Sequence, residues 1–225
     1  MIPAATKYRS SAVLSNVLLH LDGTNGSTTF TDVYGHTFTA HSGAALATAQ
    51  AKFGTASLDL TANTGWISTP DANEFHFTGD FTVEGWYRPG SFPANNALFG
   101  KRANGGVNDS IVLFVTSAGK LRCQATNNGS SWGYDQTSTA TMTVNTWSHW
   151  AAVRSGSTIT CYLDGTGFGA ATLTGRLDQV NGADVTVGAD AGSPSLKAIG
   201  YIDEFRFSPV ARYTSNFTPA GPFTS

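Results

Sequence analysis

Three stretches of the chain gather residue types that could do chemistry. In Thr126-Asn-Asn-Gly-Ser-Ser-Trp-Gly-Tyr-Asp135, two aromatic rings, Trp132 and Tyr134, stand beside Asn127, Asn128 and Asp135. Sugar rings are held by aromatic faces flanked by amides and acids that hydrogen-bond their hydroxyls, so this stretch has the composition of a glycan site. Trp132 and Tyr134 share parity, and an extended backbone would show both rings on one face. The plainer alternative is that both rings cover a sheet edge or a neighbouring subunit. In HLDGTNGSTTFTD, residues 20–32, Asp22, Asn25 and nearby hydroxyls offer oxygen ligands that suit calcium rather than zinc. The acid spacing and terminal Glu of an EF-hand are missing. The alternative there is an Asx-type turn in which Asp22 and Asn25 bond their own backbone and Gly23 and Gly26 supply positive φ. The third stretch, YIDEFRFS at 201–208, places Asp203 next to Glu204, and neighbours in a regular strand point to opposite faces.

Other chemistries have no residues to support them. The five histidines form neither an HExxH nor a His-x-His pair, and His149, inside SHWAAVR, reads as a packed, hydrogen-bonded sheet residue. Cys123 and Cys161 alternate with apolar neighbours and read as two buried thiols; a single bridge between adjacent strands is the alternative. Charged residues are 12% of the chain, about half the roughly 25% usual for soluble domains. With a net charge of −2 and no basic cluster interleaved with aromatics, nucleic acid is excluded as a main partner. No run of about 18 apolar residues exists to insert in a membrane. The interrupted apolar stretch after Lys7 and Arg9 does not read as a signal peptide.

The elements that must position these residues are strands. Runs rich in Val, Ile, Thr and aromatics recur, among them VLLHL (17–21), FTVEGWYR (81–88), SIVLFVT (110–116), SHWAAVR (148–154) and TITCYLDG (158–165). Gly, Asn, Ser and Asp punctuate them as turns. This spacing predicts an all-β fold, an antiparallel sandwich. Candidate short helices are 70–75, where a turn is the equal alternative, and the Ala-rich GAALATAQAKFG at 43–54. In TITCYLD, Ile159, Cys161 and Leu163 face one way; Thr158, Thr160, Tyr162 and Asp164 face the other, on a side free to stay wet or meet another subunit. SIVLFVT is apolar on both faces and reads as a central, doubly covered strand. Trp66, Trp86, Trp147 and Trp150 lie within strand patterns and read mostly as core. Residues 1–16 read as an arm for assembly or anchoring, and 17–225 as one domain.

Four motifs in order carry a family resemblance: FTVEGWYRP (81–89), WSHWAAVR (147–154), ITCYLDG (159–165) and YIDEFRF (201–207). Together they resemble the laminin-G-like or concanavalin A-like lectin/glucanase jelly roll, and KFGTASLDL and ARYTSNFTP are similar to the version found in bacteriophage virion proteins. The resemblance implies two curved antiparallel sheets. In such jelly rolls the first and last strands often lie side by side, so Asp22 and Asp203 could converge on a structural calcium. Glucanases of the family carry an E-x-D-x-x-E strand whose alternating carboxylates share a cleft; here Tyr201 takes the first position and Asp203 and Glu204 are adjacent. No catalytic residue is expected. Glu204 is expected to pair with one of the strand arginines.

The sequence is thus read as a non-enzymatic, lectin-like virion component, on tail, fibre or head, with host-surface glycan and other virion proteins as partners and a homo-oligomer, a trimer for preference. It would assemble in the host cytoplasm and act in the virion. A stand-alone or secreted carbohydrate-binding module is the alternative, and a glycoside hydrolase a more distant one.

Overall fold

The computed structural model describes residues 17–102, 110–177, 182–190 and 193–225; the expected arm at 1–16 lies outside them. In chain order the strands are β1 (Val17–Leu19), β2 (Phe30–Thr31), β3 (Thr37–His41), β4 (Ala45–Ala47), β5 (Ser57–Asp59) and β6 (Trp66–Thr69). Next come β7 (Phe81–Pro89), β8 (Asn96–Lys101), β9 (Ile111–Val115), β10 (Leu121–Ala125), β11 (Tyr134–Thr137) and β12 (Ser148–Ser155). The last six are β13 (Thr158–Leu163), β14 (Thr166–Thr172), β15 (Val185–Val187), β16 (Ala189–Asp190), β17 (Ser193–Lys197) and β18 (Gly200–Ser208).

Two antiparallel sheets face each other. Sheet I runs β14-β13-β12-β7-β18-β5-β4, with β1 also paired to β18; sheet II runs β11-β10-β9-β8-β15-β6-β3-β2, and β16–β17 form a separate hairpin. The far edge of β18 is shared end to end, by β1 at Val17↔Phe207 and Leu19↔Phe205 and by β5 at Tyr201↔Asp59 and Ile202↔Leu58. Strand alternation builds the core between the sheets. Ile159, Cys161 and Leu163 of sheet I meet Leu121, Cys123 and Ala125 of sheet II in one buried cluster, and each large apolar side chain so buried contributes about 1.5–3 kcal/mol. β9 is buried at every position, as its sequence suggests: Ile111, Leu113 and Val115 face the core, while Val112 and Phe114 are covered from outside by Trp132 and Leu196.

The outer face of sheet I is covered too. Residues 50–56 and the C-terminal strap, 209–225, lie over it, with Phe53 and Phe223 packed on Trp86 and Leu18, and Tyr213 and Phe217 packed on Ala151, Val153 and Tyr162. The strap's fit requires glycine at 165: its φ is +74°, and a Cβ there would sit 1.9 Å from the Phe217 carbonyl oxygen. That close approach brings the Phe217 N–H to 3.0 Å from the Gly165 carbonyl.

Several expectations need correction. The Ala-rich 43–54 segment is not a helix; Leu46 pairs with Leu58 across β4–β5, and turns follow. At 70–75, where the sequence allows helix or turn alike, a single 3-10 turn forms, Asn73–Phe75. Cys123 and Cys161 are buried and free, as read, but lie on strands of opposite sheets rather than on adjacent ones. Trp150 is fully buried and Trp86 nearly so, whereas Trp66 and Trp147 are only partly covered.

Candidate functional site

The 126–135 stretch does not present its two rings together. β11 begins only at Tyr134, so the strand period does not reach back to Trp132. Tyr134 is 1% exposed, a core residue whose hydroxyl donates to the Cys161 Sγ at 3.3 Å. Trp132 instead covers Ala97, Val112 and Phe114 on the outer side of sheet II, with the Arg102 guanidinium 5.7 Å from its ring centre. The polar neighbours hold the turn. The Asn128 Oδ1 accepts the N–H groups of Ser130 (2.9 Å) and Ser131 (3.1 Å), and the Asn127 Nδ2 donates to the Thr174 carbonyl at 2.9 Å. Asp135 takes the Arg122 Nε at 2.7 Å, a second bond from the same guanidinium, and the Gln124 amide at 3.0 Å. The Arg122 hydrogen bond holds the Asp135 carboxyl below its ordinary range.

Asp22 and Asp203 are brought to a common task. Asp22 Oδ1 accepts the N–H of Thr55, the Thr55 hydroxyl at 3.1 Å and the N–H of Ala56 at 3.2 Å. Asp203 Oδ2 accepts the N–H groups of Lys52 (2.7 Å) and Phe53 (3.1 Å), and its Oδ1 that of Glu204 (2.9 Å). Both carboxylates therefore clasp the 50–56 segment. Gly54 makes the clasp possible, since its φ is +61° and a Cβ would sit 2.2 Å from either Asp22 carboxylate oxygen. These oxygens face N–H donors, which carry the same sign of partial charge as a cation. The donor set seen here is that of a backbone clasp, each carboxylate being engaged by N–H groups of the 50–56 segment. Of the self-bonded turn, Gly23 and Gly26 have the positive φ expected, +152° and +81°, but Asn25 bonds elsewhere: its Oδ1 accepts the Thr48 N–H at 3.1 Å.

Asp203 and Glu204 do not point to opposite faces. A bulge interrupts the β18–β7 register between Asp203 and Arg206, with Glu204 at φ +53°. An inserted residue resets the alternation, so both acids leave the core side held by Ile202 and Phe205. Glu204 accepts from the His20 Nδ1 at 2.8 Å and the Phe223 N–H at 2.8 Å. The arginine pair forms elsewhere: Arg206 donates through Nε (2.9 Å) and Nη2 (2.6 Å) to Glu84 Oε1. Glu84 Oε2 accepts from His149 Nε2 (3.1 Å) and the Tyr213 hydroxyl (2.9 Å). Burial pushes the Glu84 carboxyl up, but the His149 hydrogen bond and the Arg206 charge outweigh it and leave it below its ordinary value. This buried network ties the strap to the sheet: Arg206 Nη1 also donates to the Thr224 carbonyl at 2.7 Å.

Beside the strap the outer face of sheet I is open. Two adjoining hollows, of about 330 and 230 Å³, cross β12, β13 and β14 and share Thr160, Tyr162 and Thr214. Their floor is the polar side of TITCYLD, Thr158, Thr160 and Tyr162, as strand parity indicates. One wall is the strap, with Tyr213 stacked on Phe217 at 3.5 Å and Asn216 accepting the Gly167 N–H through Oδ1 at 2.9 Å. Residues 167–170 of β14 and Ser155 of β12 complete the lining. Sequence reasoning found the floor without assigning it a ligand and missed the wall; ARYTSNFTP, with two aromatics, an Asn and three hydroxyl residues, was its only signal.

The comparisons agree with this architecture. The family model described as the concanavalin A-like lectin/glucanases superfamily matches residues 61–215. No curated protein matches the chain. Among solved structures, the binding domain of Paraclostridial Mosquitocidal Protein 1 is similar at a TM-score of 0.69 and 14% identity, over 89% of this chain and 50% of that one. Domain 4 of AbnA, a GH43 extracellular arabinanase from Geobacillus stearothermophilus, in complex with arabinotriose, is similar at a TM-score of 0.64 and 19% identity, over 88% of this chain and 93% of that one. The binding domain of botulinum neurotoxin DC in complex with SialylT gives a TM-score of 0.60 at 12% identity, over 88% and 48%. The chain spans about half the length of the toxin domains it matches. By its matched residues and its two-sheet fold, the chain belongs to the concanavalin A-like lectin/glucanase superfamily.

Proposed function

We propose that this chain is a non-catalytic, lectin-like module that binds a glycan in the groove between β13–β14 and the strap. The observation that carries this reading is the lining itself: threonine hydroxyls on the strand floor beside the Tyr213 and Asn216 wall, open to solvent and crossing the strands. A hydroxyl both donates and accepts, which matches a sugar's own hydroxyls. The complex of the arabinanase domain with arabinotriose lends support by analogy of fold. The carboxylates of the last strand support a non-catalytic reading: Asp203 and Glu204 are buried and committed to N–H and imidazole donors, out of reach of a glycosidic bond. Measuring retention on a glycan array for the native chain and for Tyr213→Ala tests the site, with loss expected in the variant; undiminished retention places the ligand elsewhere. Polysaccharide hydrolysis abolished by Glu204→Gln would overturn the non-catalytic reading.

The virion role is a second layer of this proposal. It rests on the resemblance of KFGTASLDL and ARYTSNFTP, segments that form the clasp and the strap over sheet I. It predicts the chain among the proteins of purified particles and a symmetric homo-oligomer, a trimer for preference, in light scattering. A monomer counts against it.

A further inference from the structure

We infer that the groove selects an uncharged oligosaccharide and engages at least two of its sugar units; this rests on the glycan-binding reading above. No charged side chain lines either hollow. A carboxylated or sulfated sugar bound there would leave solvent with no cationic partner, and an unpaired charge is costly to desolvate. The charged residues of the surrounding elements are engaged away from the groove. Arg154 Nε donates to the Gly156 carbonyl at 2.9 Å, Asp164 Oδ1 accepts the His149 N–H at 2.8 Å, and Arg212 Nε donates to the Ser208 hydroxyl at 2.7 Å.

Neutral hydrogen-bonding groups are plentiful by contrast. Among the described residues, the hydroxyls of Thr158, Thr160 and Thr214 take no protein partner. Asn216 spends its Oδ1 on the Gly167 N–H, which leaves its Nδ2 hydrogens to donate. Tyr213, partly exposed at the wall, supplies apolar surface on which the C–H face of a sugar ring can rest, over the buried Tyr162. The two hollows lie in series and meet at Thr160, Tyr162 and Thr214, so a ligand filling one reaches the other. Gly167 leaves room in the larger hollow: a Cβ there would sit 3.1 Å from the Tyr162 ring and 3.4 Å from the Asn216 Oδ1. The larger hollow alone falls in the roughly 300–1,000 Å³ range of small-ligand sites.

The test is a glycan array carrying matched neutral and sialylated or sulfated oligosaccharides of increasing length, followed by calorimetry of the retained sugars at low and high salt. Thr160→Val, which keeps the shape and removes the hydroxyl, and Asn216→Ala are run beside the native chain, with thermal melts confirming that both fold. The expected result is retention of neutral sugars, tighter for a disaccharide or longer than for its monosaccharide. Affinity should be insensitive to salt and fall by about threefold to tenfold in each variant, as loss of one hydrogen bond predicts. Preference for the anionic partner, or affinity that collapses with salt, overturns the inference while leaving glycan binding intact. Equal affinity for a monosaccharide overturns the two-unit reach. Binding of neutral sugars untouched by both variants moves the site and overturns both readings, as does retention of no glycan.

Discussion

The turn at 126–135 and the groove over β13 use similar residues: aromatic rings beside amides and hydroxyls. In the turn the amides, the carboxylate and the phenol are already engaged. Asn128 caps the following N–H groups, Asn127 holds Thr174, Asp135 holds Arg122 and Gln124, and Tyr134 is inside the core. Among the described residues the groove's threonine hydroxyls have no such partners, and the aromatic stack of Tyr213 on Phe217 holds the wall while leaving the space beside it open. Composition marks both regions alike. An account of hydrogen-bond partners separates the one that builds a turn from the one that can bind.

The sharpest way to break this comparison is to disturb what holds each region. Tyr134→Ala should cost about 3–5 kcal/mol in urea unfolding, the range for removing a large buried ring, and leave glycan affinity of the folded protein unchanged. Glu84→Ala should cost a similar amount, about 3–5 kcal/mol, because it strands the buried Arg206 charge. Its effect on binding should differ: the Tyr213 hydroxyl loses its acceptor, the strap loosens, and the groove loses affinity. If Glu84→Ala at a temperature where it is folded binds glycan like the native chain, the strap does not set the wall.

A second contrast is in pH. Burial pushes the Asp203 carboxyl up to about 7, against the lowering by the Phe53 and Lys52 N–H groups. An unfolded Asp titrates near 3.9. Between those values the folded chain holds a proton that the unfolded chain has released, so this contribution is full below about pH 4 and is lost as pH rises through about 7. Unfolding free energy should fall across that window, and Asp203→Asn should flatten the fall. The groove has only Tyr162 and Tyr213 to titrate, and burial pushes both phenols up, the nearby Glu84 charge adding to it at Tyr213. Glycan affinity should therefore stay level over the same range, and a parallel drop would show that a charged group takes part in binding.

Much of the fold was legible because alternation is a direct consequence of strand geometry. TITCYLD identified both the core side, Ile159, Cys161 and Leu163, and the groove floor, Thr158, Thr160 and Tyr162. Alternation failed where the backbone leaves the regular strand. Trp132 precedes β11, so its parity with Tyr134 meant nothing, and Glu204 sits at positive φ, a conformation that a glutamate does not announce. The groove wall was not legible for another reason. Asn216 meets Gly167 across 49 residues of sequence, and no local pattern records which distant segment will cover a sheet.

The smallest expected effect tests whether the turn has any binding role. Asp135 and Arg122 are each about one-third exposed, and their pair is the kind that contributes about 0–1 kcal/mol. Because the Arg122 hydrogen bond lowers the Asp135 pKa, whatever the pair contributes is present above an unfolded carboxylate's pKa and is lost as pH falls through the folded one. Asp135→Asn should thus change stability by no more than about 1 kcal/mol at neutral pH and by less in acid. Its glycan affinity should equal that of the native chain. The carboxylate is exposed to solvent, so a loss of affinity in this variant, with stability intact, would favour the turn over the proposed groove as the binding site.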